Sequence, residues 1–445
     1  MGTLLAGAAK TNITPPLGVT LSGSFYPRQA NDVYDELHAK AIALSDGATK
    51  VAIVVCDLIA MTRDRMDAVK ARAEKLCGIP AANIFISCTH THSGPAPCWV
   101  LGVPPENAYM DWACLKIADA VALAARRMRD AQAGAAVGSV PDQVFNRRWW
   151  LTDGTVRMNP GLQNPNLVRP AGPTDPDLAI LAIETPEREP IALLANYALH
   201  YVGAGSGTEI CADYFAFFGR AMARMVNADA RDPQREFLAI MSNGCSGDIN
   251  NVNFAQPRHS LTQIPRAKAA QVADVCAAEA LRLWRERTQM SRDVTLGVAA
   301  KEVSVRKRHI APDDLQAAKE RMAKGKTSDR DTDWFWAWMK VMVSEMPDTF
   351  PTRLQALRIG DVGLVGLPGE IFVEIGLQIK ARSPFRVTMP IELANGYLGY
   401  TCTDKSLKEG SYETQIATSS IPAAGTEALY VETATELFRS LGLTR

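Results

Sequence analysis

The sequence predicts an α/β fold in which a large mixed β-sheet is flanked by helices. Short apolar, β-branched runs typical of buried strands recur along the chain. Stretches with helical spacing separate several of these runs. No linker, repeat or low-complexity segment divides the 445 residues, although this length could also hold two to three average domains. We therefore expect one domain over residues 1–445.

The first half of the chain predicts a β-β-α-β order. Strands at 38–45 and 51–56 are joined by Asp46-Gly47, a turn typical of hairpins. The second strand ends at Asp57, which either contacts a ligand at the strand end or caps the next helix. A helix at 62–77 and a strand at 84–88 follow. A second helix is predicted over 108–131.

The second half predicts further strands and helices in alternation. One helical stretch, 311–346, carries Trp334, Phe335, Trp336 and Trp338 close together. We interpret it as a lid-like insertion with aromatic faces over a pocket, or as a helix that packs on the domain. The other predicted strands are 178–184, 190–197, 237–241, 353–360 and 362–366, and the other predicted helices are 213–226, 265–290 and 371–382.

Composition excludes several classes of function. Lys plus Arg and Asp plus Glu each number 48, and no long basic run occurs, so nucleic acid and anionic membranes are not expected partners. No apolar run reaches the roughly 18 residues of a membrane span, and the start lacks a secretory pattern. Nine scattered cysteines predict buried thiols in a reducing compartment, hence the cytoplasm. We expect a small-molecule substrate and allow for a homo-oligomer.

A pair of histidines follows the predicted strand at 84–88. His90 and His92 are two of only six histidines in the chain, and Gly94-Pro95 closes the segment with a turn signal. Imidazoles two positions apart can face the same side of an extended segment. The pair suits a metal ligand with a second imidazole beside the reacting group. Two polar loop residues capping a strand would give the same pattern.

Other polar residues lie where predicted strands end. His200 follows the strand at 190–197, and Glu370 precedes the helix at 371–382, where it could be only a first-turn charge. Two histidines, one carboxylate and a water form a hydrolytic zinc set. Arg147, beside two tryptophans, is suited to a carbonyl or carboxylate, or to stacking in an exposed loop. The glycine-rich segment 203–207 is interpreted as backbone bending around a site.

These motifs together resemble the neutral/alkaline, non-lysosomal ceramidase family. The segment Thr-His-Thr-His-Ser-Gly-Pro at 89–95 is similar to a signature of that family, and the similarity continues in order over nearly the whole chain. The other similar segments are 8–16, Asn146-Arg147, 196–213, 242–248, Leu367-Pro368-Gly369-Glu370 and the Asn395, Tyr397 and Tyr400 motif.

The resemblance implies roles for individual residues. It implies Zn²⁺ as the cofactor, with His90, His200, Glu370 and Tyr400 as ligands, Tyr400 being preferred to Tyr397. It also implies that His92 and Arg147 contact the scissile carbonyl or its oxyanion. We expect Asp248 or His92 to accept the proton of the attacking water. Asn250, Trp149 and Trp336 are expected to contact the substrate.

The sequence departs from the family at two points. Asn250 stands where the family carries a serine, and a carboxamide cannot act as that nucleophile, so water is the expected attacker. The chain ends at Arg445, where the family continues into a β-sandwich domain, so ceramide is not the expected substrate. We predict a zinc-dependent amidohydrolase acting on a small or moderately apolar N-acyl compound. An esterase or lactonase with the same site, and a non-catalytic ligand-binding relative, are the alternatives.

Overall fold

The computed structural model describes residues 3–203, 207–228, 236–328 and 330–442. Its strands in chain order are β1 Leu5–Asn12, β2 Thr20–Leu21, β3 Arg28–Gln29, β4 Asp32–Val33, β5 His38–Ser45, β6 Lys50–Cys56, β7 Ile84–Cys88, β8 Arg129–Asp130, β9 Gln132–Ser139, β10 Phe145–Asn146, β11 Arg148–Leu151, β12 Val156–Met158, β13 Leu167–Pro170, β14 Asp177–Glu184, β15 Pro190–Tyr197, β16 Glu209–Ile210, β17 Leu238–Asn243, β18 Ile249–Asn250, β19 Leu296–Arg306, β20 Thr349–Ile359, β21 Val362–Gly366, β22 Glu370–Ile371, β23 Val387–Ile391 and β24 Tyr400–Thr401.

The α-helices lie between and after these strands. In chain order they are α1 Arg63–Cys77, α2 Asn107–Arg126, α3 Asp213–Met225, α4 Ala267–Arg282, α5 Pro312–Ala323, α6 Thr332–Ser344, α7 Val373–Arg382, α8 Asp404–Glu409 and α9 Thr426–Ser440.

The larger strands form separate mixed sheets. The first has the order β7-β6-β5-β1-β8, the second β17-β15-β14-β9 and the third β19-β20-β21-β23. Each contains one parallel pair, β6 with β7, β15 with β17 and β21 with β23, beside antiparallel pairs. The predicted mixed α/β class is confirmed. The strands do not form one sheet, as twisted sheets of this many strands tend to split and pack on each other.

Both faces of the first sheet are buried, which explains its continuous apolar runs. In β5, Ala41 and Ala43 pack in the core shared with α1 and α2, while Ile42 and Leu44 face a core between sheets. This second core also contains apolar residues of the second and third sheets. Because successive strand residues face opposite sides, strands between two cores must be apolar throughout.

Helices cover the outer faces of the other two sheets. α3 and α4 pack on the second sheet, and α7 and α9 pack on the third. The predicted helical stretch at 311–346 consists of two helices, α5 and α6, inserted in the β19–β20 hairpin. The predicted helix at 108–131 ends at Arg126, since the chain then forms β8 on the edge of the first sheet. Among the described residues, no helix combines the length and apolarity needed to cross a bilayer.

Asp57 does not cap the helix that follows it, and its role as a ligand contact stays a prediction. Its buried carboxylate accepts hydrogen bonds from Lys40 Nζ and the His38 backbone N–H, both at 2.9 Å. α1 is preceded by Thr62 as its N-cap residue. Asp57 therefore stabilises the β5–β6 pair through a buried ion pair.

Lys70 of α1 is a buried amine that ties the helix to the third sheet. Its Nζ lies 2.6 Å from Asn395 Oδ1 and 3.4 Å from Gln355 Oε1, and the side chain is almost fully buried. Burial, with the nearby charge of Arg353, lowers the pKa of Lys70 from 10.5 to about 8. The folded protein therefore releases this proton at a lower pH than the unfolded chain.

We predict that raising the pH stabilises the protein relative to a Lys70→Met variant. Between the folded and unfolded pKa values the unfolded chain binds the extra proton, so the free energy of unfolding rises with pH. From pH ~7.5 to ~9.5 the difference between wild type and variant should shift by roughly 1–2 kcal/mol in favour of wild type. Urea unfolding at both pH values measures it, with the exposed Lys75→Met as control. A pH-independent difference would contradict the prediction.

Candidate functional site

The residues expected to bind metal lie together where strands end. His90 follows β7 and His200 follows β15, each the partner of a parallel strand. Glu370 and Tyr400 are paired directly across the short parallel strands β22 and β24. The carboxyl ends of parallel strands open on the same side of a sheet. This arrangement joins four residues that are far apart in sequence.

The ring of His90 is fixed by its backbone. His90 has a φ of 66°, and its N–H donates to Leu58 O over 2.9 Å. Its Nδ1 donates to Ile59 O at 2.7 Å. That bond assigns the ring proton to Nδ1 in the neutral imidazole and leaves Nε2 facing the site. A left-handed backbone at a buried histidine is costly, and such strain is concentrated at functional sites.

His92 is held in a similar way on the opposite side of the cluster. Its Nδ1 donates to Gly23 O at 2.9 Å, and its Nε2 lies 3.2 Å from His200 Nε2. Gly23 has a φ of 87°, and a Cβ there would come within 2.6 Å of the His92 ring. A glycine is therefore required at this position for the close approach.

Glu370 carries a buried oxygen that is available to a ligand. Tyr397 OH donates to Oε1 at 2.8 Å, whereas Oε2 has no hydrogen-bond partner among the described residues. Oε2 lies 3.3 Å from His90 Nε2 and 3.9 Å from His200 Nδ1. Burial opposes ionisation, but the charge of His90 and the nearby tyrosine hydroxyls outweigh it and lower the pKa of Glu370 to about 2. The carboxyl is thus a carboxylate at neutral pH.

These donors fit a divalent cation. Donor atoms about 2.1 Å from a tetrahedral zinc ion lie roughly 3.4 Å from one another. The 3.3 Å between Glu370 Oε2 and His90 Nε2 is of this size, whereas His200 Nδ1, 3.9 Å from Oε2, accepts a hydrogen bond from Arg147. Imidazole and carboxylate are zinc ligands. His90 and His92 each donate from Nδ1 to a backbone carbonyl, which is the support typical of a metal ligand.

The three histidines form a second possible donor set. One ring nitrogen from each of His90, His92 and His200 lies within 4.8 Å of the others. Burial and the charge of His90 lower the pKa of His92 to about 3, and they also lower that of His200. Both rings are therefore neutral, and each has one lone pair; that of His200 is at Nδ1, which accepts a hydrogen bond from Arg147. The set predicted from the sequence contains Glu370 and Tyr400 in place of His92.

Arg147 is the buried cation of the site. Its Nη1 donates to His200 Nδ1 and its Nη2 to Tyr400 OH, both at 3.0 Å. Its Nε donates to Glu413 Oε1 at 2.8 Å. Burial opposes the charge, but Tyr400 and Glu413 raise the pKa of Arg147 above its ordinary value. Glu413 thus both orients and neutralises the guanidinium.

Glu413 was missed by sequence reasoning. It belongs to a polar segment after α8 and carries no motif, and its side chain is completely buried. Its Oε2 also lies 3.6 Å from Arg148 Nε. Only the fold brings this carboxylate beneath Arg147, so the sequence offered no signal for it.

Asp248 lies next to the site but faces other groups. Its Oδ2 accepts from Asn146 Nδ2 at 2.8 Å and its Oδ1 from the Val373 N–H at 2.9 Å. Its backbone carbonyl accepts from the Arg147 N–H at 2.9 Å. Burial raises the pKa of Asp248 to about 6. These contacts suit a residue that positions Arg147, and its role as a proton acceptor stays a prediction.

A cavity of about 780 Å³ opens onto the site through Arg147 and His200. Asn250 lines it, and its contact with a substrate stays a prediction. Trp149 instead lies buried in β11, paired with β12 and β13. The described lining is Asp142, Phe145, Arg147, Asn159, Gly161, Leu162, His200, Val202, Asn250–Asn253, Phe254, Gln256, Pro257, Arg258, His259, Thr262 and Lys268.

Trp336 is not among the described residues that line this cavity. It contacts Phe25 and Tyr412, with ring centroids 6.0 and 5.9 Å away, and Tyr412 in turn contacts Tyr400 at 5.9 Å. The aromatic residues of α6 thus pack beside the site, and the lid function of α5 and α6 stays a prediction. The glycine-rich segment predicted to bend around the site falls mostly at 204–206, outside the described residues.

Two solved structures resemble this chain over nearly its whole length. A crystal structure of neutral ceramidase from Pseudomonas aeruginosa matches with a TM-score of 0.76 and 18% sequence identity, covering 99% of this chain and 75% of that one. A structure described as ceramidase complexed with C2 matches with a TM-score of 0.73 and 16% identity, covering 100% of this chain and 77% of that one. No family model and no curated protein matches the sequence. The chain therefore has a neutral-ceramidase-like fold.

Proposed function

We propose that this protein is a zinc-dependent hydrolase that cleaves the amide bond of a small or moderately apolar N-acyl compound. The observation that carries the proposal is the convergence of His90, His200 and Glu370 Oε2, an oxygen without a hydrogen bond among the described residues, beside Arg147. The cavity gives a substrate access to these groups. The fold shared with two structures described as ceramidases supports an amide as the bond cleaved.

His90, His200 and Glu370 would hold the ion, with Tyr400 as a fourth candidate ligand. A zinc ion there would supply a Lewis acid for the carbonyl and an acidified water. Arg147, kept charged and oriented by Glu413, would stabilise negative charge on the carbonyl oxygen. Because this guanidinium is preorganised and buried, little reorganisation accompanies charge development.

We assign the proton transfer to His92. Its Nδ1–H is bound to Gly23 O, so Nε2 is the ring atom that could take up a proton. The ring would take a proton from the attacking water at Nε2 and pass it to the leaving amine. Asp248 would act by fixing Asn146 and the Arg147 backbone.

The two alternatives differ in what the same groups do. An esterase or lactonase would use the same site with a better leaving group. A non-catalytic binder would need the cavity but not the preorganised Arg147–Glu413 pair. A panel of N-acyl amines, matched esters and lactones, ceramide included, assayed with zinc, tests all three. We expect amide hydrolysis; cleavage of esters alone would indicate the second reading, and no cleavage at all would overturn the proposal.

The zinc ligands can be separated by two variants. If Glu370 is a ligand, Glu370→Gln should weaken zinc binding by more than about tenfold, because even partners outside the ligand set are worth roughly 10–100-fold. His92→Gln should change zinc affinity far less. Chelator competition and metal analysis measure both. If His92→Gln instead weakened zinc binding more than Glu370→Gln, this would show that the three histidines form the metal site.

The Arg147–Glu413 pair provides a kinetic prediction. Arg147→Ala should lower kcat on the order of 100-fold, as loss of an oxyanion donor does. Glu413→Gln should lower kcat by roughly tenfold with a smaller change in KM, since Arg147 keeps its charge but loses its anchor.

Glu409→Gln is the matched control, because Glu409 pairs with Arg148 at 3.2 Å instead of with Arg147. Its kcat should stay close to that of wild type. Thermal unfolding and zinc content, measured on all variants, separate misfolding from a kinetic effect. Equal losses of kcat in the two glutamate variants would count against a specific role for Glu413.

A further inference from the structure

The cavity beyond Arg147 and His200 has a polar wall that the proposed reaction does not use. Five carboxamide side chains line this wall: Asn159, Asn250, Asn251, Asn253 and Gln256. The lining also contains the cationic side chains of Arg258 and Lys268, on the side formed by residues 250–259 and the start of α4. An amide with two purely apolar substituents would leave these groups without partners.

Three of the five carboxamides of the wall have their oxygens already engaged. Asn250 Oδ1 accepts from the Val252 N–H at 2.9 Å, and Asn253 Oδ1 accepts from the Ala255 N–H at 3.1 Å. Asn159 Oδ1 accepts from Asn250 Nδ2 at 3.0 Å. The amide N–H groups of Asn159 and Asn253 therefore remain for a ligand. These three carboxamides present mainly donors, so this part of the wall suits a group rich in acceptors.

The charged side chains of the wall are also hydrogen-bond donors. Arg258 is exposed and has no ion pair or hydrogen bond with any other described residue. Lys268 Nζ donates to the neutral oxygens of Gln143 and Gln271, both at 3.0 Å, and not to a carboxylate. Asp142 is the one acidic side chain in the described lining. With Arg147 already neutralised by Glu413, the wall carries an excess of positive charge from Arg258 and Lys268.

We propose that the wall binds a carboxylate of the substrate, which makes the substrate an N-acyl amino acid. This inference rests on the proposed function, since it assigns the amine side of the scissile amide to this wall. Phe145, Leu162 and Val252 supply apolar contacts in the same cavity for the stem between amide and carboxylate. A carboxylate would accept from the free amide N–H groups and from one or both cations.

Matched substrates with and without a carboxylate test whether the wall binds a negative charge. N-octanoyl derivatives of glycine, β-alanine and γ-aminobutyrate are compared with their uncharged primary amides, in the zinc-loaded enzyme. We expect kcat/KM to favour at least one carboxylate by about 10–100-fold, the range of a charge-assisted hydrogen bond. In the Arg258→Ala/Lys268→Met double variant this preference should fall to roughly one. The exposed Arg285→Ala, outside the cavity, is the control and should keep the preference.

Binding to the metal-free protein separates this inference from the reaction. Calorimetry with the same compounds after chelation should show the carboxylate bound more tightly than the amide, and the difference lost in the double variant. If nothing is hydrolysed but this binding pattern is found, the proposed function fails and the carboxylate site stands. Equal binding of acid and amide by wild type, or a preference retained in the double variant, would overturn the inference.

Discussion

The site depends on one buried arrangement of charge, the Glu370 carboxylate enclosed by imidazoles and a guanidinium. Its Oε2 is close to His90 and His200 but has no hydrogen bond within the described residues. A buried carboxylate oxygen without a hydrogen bond destabilises the folded protein unless a positive charge compensates it. The nearby Arg147 is already neutralised by Glu413. The negative charge of Glu370 can then be compensated by a protonated His90 or by a cation bound between Glu370 and the histidines. This explains why the cluster suits a metal.

The sheet arrangement provides the rigid support for this cluster. His90, His200 and Glu370 each follow a strand that is buried on both faces, so their backbones are fixed by packing. The hydrogen bonds from Nδ1 of His90 and His92 to backbone carbonyls then fix the rings. Sites on such elements are more precise than sites on free loops. The cavity side is built differently, from residues 250–259. Side chains can vary there without disturbing His90, His200 and Glu370.

The two sides of the site have different chemical characters. Aromatic rings of α6, Phe25 and Tyr412 pack beside Tyr400 on one side. Carboxamides and two cations line the cavity on the other. A substrate with an apolar acyl group and a polar amine part would satisfy both sides. Asn250 accords with this view, because its side chain is part of the donor wall and not a nucleophile.

The sequence by itself determined the mixed α/β class, eight of the strands, and the positions of His90, His200 and Glu370 near the ends of predicted strands. It did not indicate β19, β23 or the short strand β24 that begins at Tyr400. Apolar runs and strand-end polar residues are local patterns, so they can be read without the fold. The tertiary structure decided that the strands split into separate sheets, that 311–346 is two helices, and that Asp57 pairs with Lys40. It also brought Glu413 beneath Arg147, across 266 positions in the chain. Contacts of this kind depend on packing between distant segments, and no local pattern encodes them.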